Sequence, residues 1–137
     1  MPSEIVSITF NKILQSHSYT VIILGTDKKK FAIYTEAQVG KDIQIYLTQG
    51  RKPRPSPHDL MQSIFSGYDI KPLQVIIYDV EDTVYFARLF LERTSEGKKT
   101  ILEIDARPSD CITLALLHNL PMYCRKEVLE KAVAIEP

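Results

Sequence analysis

Apolar residues gather in two separated blocks of this chain, and each block closes in a run with helical spacing. Ile5 to Phe10 is rich in β-branched residues, Tyr19-Thr20-Val21-Ile22-Ile23-Leu24 is nearly continuous, and Phe31 to Tyr34 follows a Gly25-Thr26-Asp27-Lys28 turn. The pattern predicts a meander of three strands. From Glu36, the positions Ala37, Val39, Ile43, Tyr46 and Leu47 approximate a helical face, which Gly40 weakens and Gly50 can stop.

Arg51-Lys52-Pro53-Arg54-Pro55-Ser56-Pro57 reads as an extended, solvated linker. A helix should follow at once. Ser56 suits its N-cap, Pro57 its first position and Asp59 its first turn, with Leu60, Met61, Ile64 and Phe65 as the expected buried face and Gly67 as the end. Leu73 to Tyr78, Thr83 to Glu92 and Thr100 to Asp105 predict three more strands, joined by Asp79-Val80-Glu81-Asp82 and Ser95-Glu96-Gly97-Lys98. Pro108 then opens a helix that is apolar on most sides through Ile112, Leu114, Ala115, Leu116 and Leu117, as one packed deep against a sheet should be. Asn119 and Pro121 end it, Met122 to Cys124 is a short strand, and Glu127 to Ala132 a closing helix. The class is α+β, with a mostly antiparallel sheet and packed helices. The strand-strand-strand-helix order occurs twice, with Tyr19 to Leu47 answering Tyr85 to Leu117, as an internal duplication would leave it.

The 137 residues fit one domain, 1–137, and 45% apolar content can fill its core. Seventeen basic residues cancel seventeen acidic ones, so attraction to a polyanion must be local. Met1-Pro2-Ser3-Glu4-Ile5-Val6 has no basic leader and no apolar run approaches the ~18 residues of a membrane span, so a soluble, cytoplasmic protein without membrane contact is expected. Cys111 and Cys124 lack metal-ligand spacing and read as buried thiols.

Chemistry-bearing residues crowd into two strand- or linker-to-helix junctions. In Ile104-Asp105-Ala106-Arg107-Pro108-Ser109-Asp110, two carboxylates lie five positions apart, a spacing that can hold one hard divalent cation such as magnesium or manganese. Arg107 can grip phosphate, and Ser109 with the free helix amides can complete an anion site. In Arg54-Pro55-Ser56-Pro57-His58-Asp59, the imidazole can serve as general acid, base or ligand, with Arg54 on a phosphate. Plain structural roles compete: Asp110 and Asp59 suit first helical turns, Asp105 can pair with Arg107, and His58 can be a surface histidine. Lys28-Lys29-Lys30 reads as a solvated turn, whereas Arg51, Lys52 and Arg54 form the better phosphate-tracking edge. No nucleotide-binding glycine loop, nucleophile elbow, HExxH or CxxC is present.

Arg54-Pro55 with His58-Asp59-Leu60, Val75-Ile76-Ile77, Tyr85-Phe86-Ala87-Arg88-Leu89, Ile104 to Asp110 and Leu120-Pro121-Met122-Tyr123 together resemble the bifunctional nuclease domain family over about Val21 to Ala132. The resemblance implies a small α+β domain of bacterial and plant proteins, credited with nuclease activity on DNA and RNA and inclined to homo-oligomerise. The chain departs from the family pattern in its first half. Where relatives show Leu-Pro-Ile, an aromatic, Ile-Gly and then Glu-Ala, it has Phe31-Ala32-Ile33-Tyr34-Thr35-Glu36, with Val39-Gly40 at the Glu-Ala position. Ser56-Pro57 stands for a more usual Leu-Thr, and Cys111 for Ala, both without loss of capping logic.

Two functions follow. One is a nuclease hydrolysing phosphodiesters of DNA and RNA, with His58, Asp59, Asp105 and Asp110 as the catalytic set, Arg54, Arg107 and Ser109 on phosphates, and a metal between Asp105 and Asp110. The alternative is a non-catalytic oligomeric module that binds an anionic ligand, nucleic acid or protein through the same helix starts. No organic cofactor is indicated in either.

Overall fold

The computed structural model describes residues 4–136, so the opening Met1-Pro2-Ser3 considered above lies outside it. A first meander, β1 (Ile5–Gln15), β2 (Tyr19–Gly25) and β3 (Lys30–Glu36), leads into α1 (Ala37–Thr48). After the linker come α2 (Pro57–Gly67), then a second meander of β4 (Ile70–Glu81), β5 (Val84–Ser95) and β6 (Lys98–Ala106), which leads into α3 (Pro108–His118). The short β7 (Met122–Arg125) and α4 (Lys126–Lys131) follow. The expected α+β class is what the chain adopts.

All seven strands form one sheet in the order β3-β2-β1-β7-β4-β5-β6. Every pairing is antiparallel except β4 with β7, where Val75, Ile76 and Ile77 run alongside Met122, Tyr123 and Cys124. The two strand-strand-strand-helix units thus flank β7, each meander running outward from it. The sheet is not flat. Phe31 on β3 stacks on Tyr85 of β5 with ring centroids 5.2 Å apart, although these strands lie five spacings apart in the sheet order, roughly 24 Å along a flat sheet. The sheet therefore curls until its two ends approach each other.

The curl explains why α3 is apolar nearly all round. Cys111, Ile112, Thr113, Leu114 and Ala115 are buried, with Phe31, Ile77 and Leu89 among the sheet residues of the same core. Both cysteines are free and buried, as expected. Burial pushes the Cys111 thiol up to about 12 and that of Cys124 to about 11, so neither ionises near neutrality.

Several expectations are corrected by the structure. Asp79, Val80 and Glu81 extend β4 rather than forming the turn, which contracts to Asp82 and Thr83, with Asp82 at φ 56°. In α2, Leu60 (60% exposed) and Ile64 (46%) point outward, whereas Met61 and Phe65 reach the core and the fully helical His58 is buried. The inward stripe is rotated because α2 packs on both β4 and α3, with Phe65 meeting His118 at the end of α3. Helix α1 ends on Gln49, in the left-handed region at φ 56°, one residue before Gly50. Lys29 is not simply solvated: its Nζ donates to the carbonyls of Leu129 (2.5 Å) and Glu130 (3.3 Å) at the end of α4.

Candidate functional site

Three helix starts meet where the ends of the curled sheet approach. The Ser56 hydroxyl accepts from the Asp59 amide at 3.2 Å while the Asp59 carboxylate accepts from the Ser56 amide at 2.7 Å, a reciprocal cap that fixes the entry of α2. This rigid first turn carries His58 inward. Its Nε2 lies 3.0 Å from Oδ1 of Asp110, in the first turn of α3. Residues 52 positions apart, from the two junctions singled out above, are thereby joined.

Arg107, the N-cap of α3, extends the cluster. Its Nε donates to Oδ2 of Asp110 at 2.9 Å and one terminal nitrogen to Oδ1 at 3.1 Å. The same guanidinium donates to both oxygens of Glu36 at 3.0 and 3.1 Å. Glu36 is the N-cap of α1, so the equivalent junctions of the two units are ion-paired across the mouth of the curl. A cleft of about 450 Å³ opens beside the pair, walled by Tyr34, Thr35, Tyr85 and Ser109 among others.

The electrostatics follow from these contacts. Hydrogen bonds from His58 and then Arg107 overcome partial burial and hold the Asp110 carboxyl far below the usual range. The Arg107 bond lowers Glu36 as well, and both carboxylates raise Arg107 further. An ionised Asp110 makes Nε2 the protonated nitrogen of His58, so in the neutral ring the lone pair sits on Nδ1. That atom is buried and has no partner among the described residues. The His58–Asp110 pair therefore has the layout of a base fixed in one tautomer by a carboxylate.

The other expected site residues lie elsewhere. Asp59 faces Lys52 at 2.5 Å and the Tyr46 hydroxyl at 3.3 Å, a cluster that pins the linker to α1. Burial disfavours its charge, but the bonds from Lys52 and Ser56 outweigh that and lower its pKa. Asp105 alternates with Ile104 and Ala106, which pack on the core, so it projects from the opposite sheet face. There it accepts from the Tyr78 hydroxyl at 2.6 Å, a tyrosine placed at a β-bulge in β4. Arg54 is exposed on the linker, and Ser109 is buried with its carbonyl accepting from Thr113 at 2.7 Å. Asp105 and Asp110, expected as a cation pair, thus take different partners, and both oxygens of Asp110 face cationic or N–H groups. As arranged, this donor set does not fit a resident divalent cation, and among the described residues no group of three His, Cys, Asp or Glu does.

Glu36 was absent from the expected site. A signal for it exists: it holds in the first strand-strand-strand-helix unit the place that Arg107 holds in the second.

Fold and site together define an α+β domain whose polar centre is built from the N-terminal turns of three helices. The chain belongs to the bifunctional nuclease domain family, whose pattern matches residues 21–136. "Uncharacterized protein MT1877" of Mycobacterium tuberculosis (strain CDC 1551 / Oshkosh) and "Uncharacterized protein Rv1829" of strain ATCC 25618 / H37Rv are each 29% identical to it over 87 residues. That stretch covers 62% of this chain and 48% of each relative, so the chain spans about half the length of the curated relatives it matches. Among the described residues no helix is long and apolar enough to cross a membrane.

Proposed function

We propose that this chain cleaves phosphodiester bonds in DNA and RNA, with Arg107 contacting a substrate phosphate and the His58–Asp110 pair handling the proton. The observation that carries the reading is the 3.0 Å contact between His58 and Asp110, which couples an imidazole to the turn holding an exposed arginine beside a cleft. Three helix starts add partial positive charge for an anion. Asp110 fixes the ring and would stabilise it once protonated, leaving Nδ1 to take a proton from a nucleophile. For that step the first turn of α2 has to open toward the cleft, since Nδ1 is sealed in the resting form.

That seal favours a second reading, a non-catalytic anion-binding module in which His58 and Asp110 lock the turns without chemistry. Cleavage assays on labelled single- and double-stranded DNA and RNA, in magnesium, manganese and chelator, separate the two. Under the first reading the protein cuts, and Asp110→Asn and Arg107→Ala each lower the rate on the order of 10²-fold. Asp105→Asn tests the metal pair: a metal-dependent loss in this variant would restore Asp105 as a ligand, and equal cutting removes it from the site. Salt-sensitive binding without cleavage by any of these proteins supports the module.

A further inference from the structure

Arg107 holds two carboxylates that differ in everything that governs exchange. Asp110 is three residues away in the same helical turn, backed by His58, with its side chain 24% exposed. Glu36 is 71 residues away and 54% exposed, and beside Arg107 it is held by the neighbouring Thr35 hydroxyl at 3.0 Å and by its own backbone amide. Together they occupy four of the five guanidinium N–H groups. A phosphate arriving at Arg107 therefore finds one free donor and two negative neighbours.

We propose that Glu36 gates phosphate access to Arg107: its carboxylate occupies the place of an incoming phosphate, which gains a two-point grip only by displacing it. The proposal rests on the reading of Arg107 as a phosphate contact. An exposed ion pair has little net strength, so Glu36 exchanges readily, while Asp110 stays and keeps the guanidinium plane oriented. The displaced carboxylate also has a destination. Glu36 is the N-cap of α1 yet makes no side-chain bond to that helix, whose first turn holds no acidic residue. The free amides at that helix start can donate to it, so the opened state leaves neither charge stranded.

The test compares the unaltered chain, Glu36→Gln, Arg107→Ala and the double variant, each checked for folding by thermal melting. Inorganic phosphate is titrated by calorimetry and a labelled single-stranded DNA oligonucleotide by anisotropy, at constant ionic strength. Glu36→Gln, which keeps the shape and removes the charge, should bind both probes roughly tenfold more tightly. The double variant should show none of that gain. Should Arg107→Ala fail to fold, Arg107→Lys keeps the charge, loses the fork and takes its place. If Arg107→Ala weakens binding but Glu36→Gln leaves it equal or weaker, the gate is wrong while Arg107 remains a phosphate contact. If binding ignores Arg107 altogether, both ideas fall.

Discussion

Asp110 links the ionic half of the site to its buried half, because one carboxylate answers both His58 and Arg107. Its depressed pKa makes the site a determinant of acid stability, with a definite sign. In the unfolded chain it titrates near the ordinary aspartate value of about 3.9; in the folded chain it stays ionised well below that. Its stabilisation is therefore complete above about pH 4 and is lost as pH falls from there toward the folded value. Glu36 acts in the same direction more weakly, being half exposed. Urea midpoints measured from pH 7 down to pH 2 should drop steeply below about pH 4. Asp110→Asn should flatten that drop and cost about 1.5 to 3 kcal/mol at neutral pH, the usual loss for a hydrogen bond to a charged group. An unchanged acid limb in the variant would remove Asp110 from this role.

Helix α1 shows how an element departs from its own propensities for the sake of packing. Gly40 is the fourth residue of α1, inside the helix, where glycine costs about 1 kcal/mol relative to alanine. A Cβ there would strike the Gln15 and Thr20 side chains on β1 and β2, and Thr20 is fully buried. Gly40→Ala should accordingly destabilise by about 1 to 3 kcal/mol despite the better helix former, readable as a lower urea midpoint with an unchanged slope. The sequence pattern shows a helix weakened at this point but not the reason, since the reason is the approach of another element. The same limit governs α2. Its cap was legible because Ser56, Pro57 and Asp59 act within one turn, whereas its inward stripe was legible only in Met61 and Phe65, because α3 and β4 decide which residues face inward. The two junction motifs could be read as one cleft since both are helix starts. That Asp105 leaves the cleft follows from strand alternation, which the neighbouring Ile104 and Ala106 already encode.

The fold as a whole depends on curling a seven-stranded sheet around α3, and the Phe31–Tyr85 stack marks where the curl closes. Phe31 is fully buried, so Phe31→Ala should cost about 3 to 5 kcal/mol in urea unfolding. It should also loosen the Glu36–Arg107 contact at the end of the same strand, seen as faster amide exchange in the first turn of α1. Strand identities are local and were largely readable; strand order is not, because nothing in Met122 to Arg125 announces that four residues will join two meanders. That placement carries a consequence for synthesis. On the ribosome, β1 to β3 and β4 to β6 emerge as two separate hairpin sets, each with open edges, and the strand that must lie between them emerges last of the seven. Until it inserts, no strand pairing joins the halves that carry Glu36 and Arg107, so the sheet that frames the polar centre is completed by the last strand to be made.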